Sequence, residues 1–253
     1  MDQKGYLYDL MVHDLRGPLS VVATTANSLL CRADRYGSLT ESQEHCLRRI
    51  ARNTKRAQFV LEEILDVARS EEHIFQTERF LFEAVVKESL ANALEVTDTR
   101  TAERLQSSDD RETVRQILED VGITVEISGK YGKAPFFHDR RKVALIVENL
   151  VSNALKYRCK RMKITISGEE DAMIVVSDDG SGIPEEEQGA VYGRFIQLSN
   201  ADGELVRGLG LGLGLYCVKM LVETMGGQIG LTSKTGCGTT FAVQIPLAQE
   251  SKK

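Results

Sequence analysis

Disulfide pairing, membrane insertion and nucleic-acid binding each require a feature that is missing from this sequence of 253 residues. The five cysteines are odd in number and show no C-x-x-C spacing, which argues against a disulfide framework and against a zinc site. No run approaches the roughly 18 apolar residues of a membrane helix, and the N-terminus has no signal-peptide pattern. A net charge of -5 provides no basic field, so we expect no direct binding to nucleic acid.

Two common phosphate-binding motifs are also missing. The chain contains neither G-x-x-x-x-G-K-S/T nor a glycine fingerprint inside a βαβ unit, which disfavours a P-loop and a Rossmann site. Its 42% of hydrophobic residues is nevertheless enough for a core, and we expect a soluble cytoplasmic protein. A longer parent protein could still be attached to a membrane through segments upstream of this chain.

Two amphipathic patterns fill the first part of the chain. They predict a helix over residues 6–31 and, after a turn at 34–42, a second helix that opens with a capping box formed by Thr40 and Gln43. In both helices the apolar residues recur at alternating spacings of three and four. Because two helices with one apolar stripe each cannot bury both stripes alone, we predict a homodimer joined through a four-helix bundle.

His13 and Asp14 lie on the first of these helices. At about 100° per residue, His13 is roughly 160° from Met11 and from Leu15, so it points away from the apolar seam. An imidazole beside a carboxylate is a nucleophile with a proton acceptor next to it. We also expect Pro18 to bend the helix just after the histidine.

The remainder of the chain alternates strand and helix patterns. Strands are predicted at 123–128, 162–167, 172–177, 228–233 and 239–245, with helices at 84–96, 140–157 and 213–226. Strands followed by helices, with short turns between adjacent strands, predict a two-layer α/β sandwich. We therefore divide the chain into a helical hairpin at 1–72, a linker at 73–79 and an α/β domain at 80–248.

The helix predicted at 140–157 carries polar residues on one face. Asn149 and Asn153 are four residues apart, and Lys156 follows almost one turn later. Amide oxygens beside a lysine suit a metal-bound polyphosphate, because Mg²⁺ takes oxygen ligands and keeps phosphates as co-ligands. A polar solvent-facing side of the helix would show the same pattern.

Two glycine-containing stretches follow. Asp178, Gly180 and Gly182 come directly after an apolar strand, where a carboxylate can accept a hydrogen bond from an exocyclic amine such as that of adenine. Further on, the glycines of 208–214 alternate with leucines and open into a helix, as in a flexible lid that offers backbone N–H groups to phosphate. Each stretch alone is equally compatible with an ordinary turn or loop.

Taken in order, these stretches closely resemble the H, N, G and F boxes of two-component sensor histidine kinases, over nearly the whole chain from Tyr6 to Pro246. The residues that carry the resemblance are His13, Asp14 and Pro18; Asn149 and Asn153; Asp178, Gly180 and Gly182; Arg194 and Phe195; Gly210, Gly212, Leu213, Gly214 and Leu215; and Gly238, Thr239 and Phe241. The resemblance implies a dimerisation and phosphotransfer hairpin followed by a Bergerat-type ATP-binding domain. It also implies an ATP-dependent kinase whose partner is the receiver domain of a response regulator.

The resemblance further implies roles for individual residues. His13 would be the phosphoacceptor, and Asp14 would orient its imidazole and take up its proton. Asn153 would hold Mg²⁺ with help from Asn149. The remaining implied contacts are with ATP: Lys156 with phosphate, Tyr157 as a wall of the base site, Asp178 with the adenine amine, and Gly180, Gly182, Arg194, Gly210, Gly212, Gly214, Leu215 and Thr239 along the site and its lid.

Three departures from the family pattern stand out. Gly17 lies where members that dephosphorylate their partner usually carry Thr or Asn, which predicts weak or absent phosphatase activity. Gln197 stands where the lid often has Arg, which could lessen charge stabilisation in the transition state. The segment 97–122 is longer and more polar than the family pattern leads us to expect.

Two other functions remain as alternatives. A kinase-like regulatory module could bind ATP or another kinase without catalysis, although it would not need the full set of site residues. An ATPase of the gyrase or chaperone type usually has a general-base Glu where Asn149 stands. Glu148 is one residue away and faces about 100° from that direction on the helix.

Overall fold

The structure is a computed structural model that describes residues 3–68, 75–193 and 214–248. The chain divides into two compact units, with the boundary between Ile74 and Phe75. In the described ranges no helix combines the length and the hydropathy that a bilayer crossing requires.

The first unit is a helical hairpin. Helix α1 (Gln3–Cys31) packs along α3 (Glu41–Ala68), and the short α2 (Ala33–Tyr36) lies in the connection. At the start of α3, the Thr40 N–H donates to Gln43 Oε1 at 2.9 Å and the Gln43 N–H donates to Thr40 Oγ1 at 3.3 Å. This reciprocal pair confirms the predicted capping box.

Part of the apolar surface of this hairpin stays open. Ala26 and Ala51 are buried, whereas four larger aliphatic side chains remain more than 40% exposed. These four are Leu15, Val21, Val22 and Ile50. Such a surface is typical of a helix pair that lacks a second layer of side chains.

The second unit contains a five-stranded sheet. In chain order its strands are β2 (Ile123–Ile127), β4 (Met162–Ser167), β5 (Ala172–Asp178), β6 (Gln228–Ser233) and β7 (Thr239–Ile245). Their spatial order is β2-β4-β5-β7-β6, in which β2 and β4 are parallel and the other pairs are antiparallel. The five strand predictions are therefore confirmed to within a residue or so at their ends.

Helices cover one face of this sheet. Helix α7 (Arg140–Tyr157) packs on β5 and between α4 (Phe82–Thr97) and α9 (Gly214–Thr224). Alternate residues of the central strands are buried against these helices, as period-two sequences require. The two-layer α/β sandwich is thereby confirmed, and α7 has the predicted bounds.

A second, two-stranded sheet was not predicted as such. Strand β1 (Thr77–Phe80) pairs antiparallel with β3 (Phe136–Asp139), and a single 3₁₀ turn (Gly129–Gly132) precedes β3. Around it Phe80, Phe82, Tyr131 and Phe136 form a buried aromatic cluster with ring centroids 5.1–5.8 Å apart. Residues 77–79, which the sequence analysis assigns to the linker, thus belong to a strand.

The polar segment 97–122 is also more regular than its sequence indicates. It forms α5 (Thr99–Ser107) and α6 (Arg111–Asp120), capped by Asp98 and Asp110, which accept from backbone N–H groups three residues on. Only two or three residues of each helix are buried, so the apolar pattern is too sparse to predict α5. The short α8 (Glu185–Gln188) completes the described elements of this unit.

Candidate functional site

Helix α7 carries the predicted phosphate and metal residues. Asn149 is buried, and its amide nitrogen donates to Leu145 O at 2.8 Å. Asn153, one turn later, is half-buried, and its side chain makes no hydrogen bond with any residue that the structure describes. Lys156 is exposed; its Nζ donates to the Tyr157 hydroxyl at 2.8 Å and lies 4.5 Å from the centre of that ring. The helix therefore offers an amide and an ammonium group near its C-terminal end.

Glu148, the candidate base of an ATPase of the gyrase or chaperone type, lies on another side of α7. The Asn92 side-chain amide of α4 donates to its Oε2 at 3.4 Å. Its carboxylate therefore reaches α4, which disfavours a role beside Asn153.

The end of β5 brings Asp178 to the helix-covered face of the sheet. In the strand register Asp178 stands opposite Thr239 of β7 and opposite Met162 of β4. Burial raises the pKa of the Asp178 carboxyl, while hydrogen bonds from the backbone N–H groups of Gly180 and Thr239 oppose this shift. The Gly180 N–H donates to Asp178 Oδ1 at 2.8 Å. Asp178 is thus a half-buried acceptor held in place by backbone donors.

Glycine is required on both sides of this carboxylate. A methyl carbon at Gly180 would stand 2.1 Å from Tyr157 O, the last residue of α7. At Gly238, where φ is +90°, it would stand 1.9 Å from Asp178 O. The backbones therefore approach more closely than any side chain permits, and this brings the predicted residues Tyr157, Asp178, Gly180 and Thr239 to one corner.

Gly182 and its neighbours fix the loop that leaves this corner. Gly182 has φ +71°, and a methyl carbon there would lie 2.1 Å from Lys234 O. Ser233 Oγ accepts from the Ile183 N–H at 2.8 Å and donates to Gly238 O at 2.9 Å. Ser233 was not predicted, because it is fifty residues from Ile183 along the chain.

Asp179 is a second carboxylate that the sequence analysis did not assign a role. Its Oδ1 accepts from the backbone N–H groups of Cys159, Lys160 and Arg161 at 2.9–3.0 Å. These donors, that of Arg161 most strongly, hold the pKa of Asp179 below its usual range. Asp179 thereby ties the end of β5 to the turn that follows α7, whereas Asp178 faces the opposite way, towards the helices.

Some predicted residues lie at the limits of the described structure. Gly214 and Leu215 begin α9, whereas Arg194, Gln197, Gly210 and Gly212 lie outside the described residues. His13 and Asp14 belong to α1, but their side chains, and so the direction predicted for His13, lie outside the described part.

A metal ion in this site would need coordinating atoms from a bound nucleotide or water in addition to those of the protein. The described residues contain no group of three or more His, Cys, Asp or Glu side chains that could hold a metal ion. Asn153 fits Mg²⁺ as a neutral oxygen ligand if most other positions are filled by phosphate and water, which is usual for this ion. The donor set of α7 is therefore compatible with Mg²⁺ bound together with a polyphosphate.

A cavity of about 540 Å³ lies elsewhere in the second unit, along β1, β3 and the residues after β7. Its lining includes Arg79, Lys130, Phe137 and Leu247 and none of the predicted nucleotide residues. We place the candidate site at the ends of α7 and β5 instead, because the half-buried Asp178 carboxylate and the close backbone approaches are there.

Comparisons with known proteins agree with this arrangement. The family described as "Histidine kinase-, DNA gyrase B-, and HSP90-like ATPase" matches residues 138–249, and the "His Kinase A (phospho-acceptor) domain" matches residues 3–73. The circadian input-output histidine kinase CikA of Synechococcus elongatus is 31% identical over 249 residues, which cover 96% of this chain and 30% of that protein. The sensor histidine kinase AruS of Pseudomonas aeruginosa is 32% identical over 95% of this chain and 22% of its own length.

The chain thus spans about a third or less of the length of these relatives. Among solved structures, full-length ShkA in complex with AMPPNP matches with a TM-score of 0.60 and 18% identity, over 98% of this chain and 47% of that one. This likeness concerns the fold alone. The phospho-acceptor family matches the hairpin, and the ATPase family matches the α/β domain that follows it. ATP is the nucleotide of the ATPase family. The chain belongs to the two-component sensor histidine kinases and contains their catalytic core.

Proposed function

We propose that this chain is an ATP-dependent protein histidine kinase that autophosphorylates His13 and passes the phosphoryl group to an aspartate in the receiver domain of a response regulator. The observation that carries the proposal is the corner formed by Asp178, Gly180, Thr239 and Tyr157 at the end of the helix that bears Asn153. A half-buried acceptor together with an amide and a lysine suits adenine at one end of the site and a polyphosphate at the other. We further propose that the chain acts in the cytoplasm, where ATP is available.

ATP would enter with its adenine amine donating to the Asp178 carboxylate and its base against Tyr157. Lys156 would approach the phosphates, with Asn153 and, secondarily, Asn149 holding Mg²⁺. When bound, Mg²⁺ would neutralise charge on the phosphate oxygens. The lid, from Arg194 through Gly210 and Gly212 to Gly214 and Leu215, would close over the phosphates, and Gly182 would allow the approach of the base.

The phosphoryl group would pass from ATP bound to the second unit to His13 of the first unit. A ring nitrogen of His13 forms a bond to the γ-phosphorus, and the bond from that phosphorus to the bridging oxygen breaks, leaving ADP. Asp14 accepts the proton that the imidazole loses. Because phosphoryl transfer needs little covalent help from the protein, most of the rate comes from placing His13 in line with the γ-phosphate.

We propose a homodimer in which two hairpins form a four-helix bundle. The exposed aliphatic side chains of α1 and α3 support this, because a second hairpin would cover them. The hairpin would span 1–72 and the ATP-binding domain 80–248, with the connection at 73–79 anchored at its end by β1. A single mass corresponding to the monomer at micromolar concentration would contradict the bundle.

Gly17 makes phosphatase activity towards the regulator weak or absent, because glycine has no side chain with which to hold a water molecule. In the structure a methyl carbon at Gly17 would meet no atom within 4 Å, so there is space for the Cβ atom of Gly17→Thr. We expect phosphorylated regulator to keep its phosphate in the presence of the wild-type chain and ADP. Rapid loss of phosphate with the wild type would contradict this expectation.

The experiment that tests the proposed function is incubation with Mg²⁺ and γ-labelled ATP, followed by acid or alkali treatment of the labelled protein. Wild type and His45→Gln, a matched histidine of α3, should both become labelled, and the label should be lost in acid but survive alkali. His13→Gln should stay unlabelled. Nucleotide binding without any label in the wild type would favour a regulatory module instead, with Gln197 as the first residue to examine.

A further inference from the structure

Three buried titratable side chains of the second unit have no part in the proposed nucleotide site. His138, Asp139 and Lys142 are only 2%, 4% and 7% exposed, although polar groups of this kind are rarely buried unless they are bound by partners. They lie at the end of β3 and on the first turn of α7, well before Asn149. Each of them contacts Phe75 or Gln76, the first two described residues after the hairpin. We call these five residues the Phe75 cluster.

Asp139 binds two separate parts of the chain, one with each oxygen. Its Oδ1 accepts from the Lys142 N–H at 3.1 Å, which caps the N-terminus of α7. Its Oδ2 accepts from the Gln76 N–H at 3.1 Å, sixty-three residues away along the chain. One carboxylate thus ties the backbone at residue 76 to the first turn of α7.

Phe75 is held from two sides in the same cluster. The His138 ring meets it edge-on, with centroids 5.4 Å apart and an angle of 78°, and Lys142 Nζ lies 5.2 Å from the Phe75 ring centre. The His138 ring is itself fixed, because it stacks on Phe136 at 5.8 Å and its Nδ1 accepts from the Asp139 N–H at 2.8 Å. The side chain and the backbone at residues 75–76 are therefore both anchored.

This anchoring joins the start of the second unit to the helix that carries the site. Asp139 and Asn153 are fourteen residues apart, about 21 Å along one continuous α-helix. The backbone next to Phe75 and the helix that carries Asn153 are consequently connected through hydrogen bonds to Asp139. A substitution in the Phe75 cluster can therefore alter the position of the ATP phosphates, although no residue of the cluster contacts ATP.

We propose that Phe75 and Asp139 are positioning residues, which fix the direction in which the linker leaves the ATP-binding unit and so align bound ATP with His13. The proposal rests on the proposed kinase function. It assigns the buried polar side chains at the start of α7 to the alignment of the reactants rather than to nucleotide binding. Misplacing reacting groups by about 1 Å can lower a rate by as much as about a hundredfold without any change in the binding residues.

The sharpest variant is Asp139→Asn. Asparagine has almost the same shape and is an equally good N-cap, so its single oxygen can keep the bond to the Lys142 N–H. Its amide nitrogen then faces the Gln76 N–H, and two donors cannot bond to each other. This variant therefore separates the cap of α7 from the bond to the linker.

Phe75→Ala removes the ring contacts, and Phe75→Tyr restores them. The matched control is Phe137→Ala, which removes a half-buried ring from β3 that packs on Arg79, outside the Phe75 cluster. Each full-length variant would be tested for its labelling rate with γ-labelled ATP over a range of ATP concentrations. Affinity for a fluorescent ATP analogue would be measured separately.

For Asp139→Asn and Phe75→Ala we expect the labelling rate at saturating ATP to fall by about tenfold. The ATP concentration for half-maximal rate and the affinity for the analogue should stay close to the wild-type values, as should both quantities for Phe75→Tyr and Phe137→Ala. An unchanged saturating rate, or a parallel loss of ATP affinity, would overturn the positioning role. Absence of label in the wild type would instead contradict the kinase function on which the proposal rests.

Discussion

The close contact between Gly180 and the end of α7 leads to a quantitative prediction for Gly180→Ala. The new methyl carbon would stand 2.1 Å from Tyr157 O and 2.8 Å from Asp178 Oδ1, both of which belong to the candidate base site. Because non-bonded contacts of a Cβ atom below 3.0 Å essentially never occur, the two backbones must separate by about 1 Å. The adenine acceptor and the wall of the base site would therefore move apart.

Two losses should follow from this displacement. Overpacking of this kind costs about 1–3 kcal/mol of folding free energy, and each kcal/mol lowers the melting temperature by about 2–4 °C in a domain of this size. Losing a hydrogen bond to a charged acceptor costs about 1.5–3 kcal/mol of binding free energy, which is about a ten- to hundredfold weaker affinity for ATP.

The assay compares Gly180→Ala with Gly189→Ala, using thermal unfolding and titration with a fluorescent ATP analogue. Gly189 follows α8 with φ -66°, and a methyl carbon there meets no atom within 4 Å, so its variant should resemble the wild type in both measurements. A Gly180→Ala protein that melts at a lower temperature but binds ATP with normal affinity would refute the assignment of this corner as the site for the adenine base. Unchanged melting would refute the close contact itself.

Three further substitutions test the electrostatics of the site. Burial raises the pKa of Asp178, so its ionised carboxylate opposes folding at pH values above the ordinary pKa of aspartate. Asp178→Asn should therefore melt at a higher temperature at neutral pH and bind ATP more weakly. A lower melting temperature would contradict this expectation. The pKa of Asp179 is lowered by the Arg161 N–H and its two neighbours, so its contribution to stability should be complete above about pH 4 and be lost as the pH falls through the lowered value. Urea unfolding of wild type and Asp179→Asn at several pH values should therefore differ near neutrality and converge in strong acid. Asn153→Ala should reduce labelling at limiting Mg²⁺ more than at high Mg²⁺, and an equal reduction at both would argue against its role as a metal ligand.

Regular patterns allowed most of the large sheet to be predicted. Strands β4, β5 and β7 alternate buried and less buried residues, and α7 carries both an apolar face and a cap at Asp139, so their sequences contain the information that local structure needs. Strands β1 and β3 have only four residues each, and α5 buries few side chains. These elements depend on partners distant in the sequence, which no local pattern reveals.

The same limit applies to the candidate site. Asn149, Asn153 and Lys156 could be grouped from their spacing because a helix fixes which residues share a face. Asp179 and Ser233 could not be assigned, because the donors that Asp179 binds lie about twenty residues away and the loop that Ser233 binds lies fifty residues away. The Phe75 cluster joins residues 75–76 to 138–142, and only the folded chain brings them together.

We propose that the nucleotide site of the second unit delivers a phosphoryl group to one histidine of the hairpin. The most direct measurement is mass spectrometric localisation of the phosphoryl group, at neutral to alkaline pH, after incubation of the wild-type chain with Mg²⁺ and ATP. The chain has four histidines, His13, His45, His73 and His138, and we predict the phosphoryl group on His13 alone. A phosphoryl group on another histidine, or on a serine or threonine, would contradict the account.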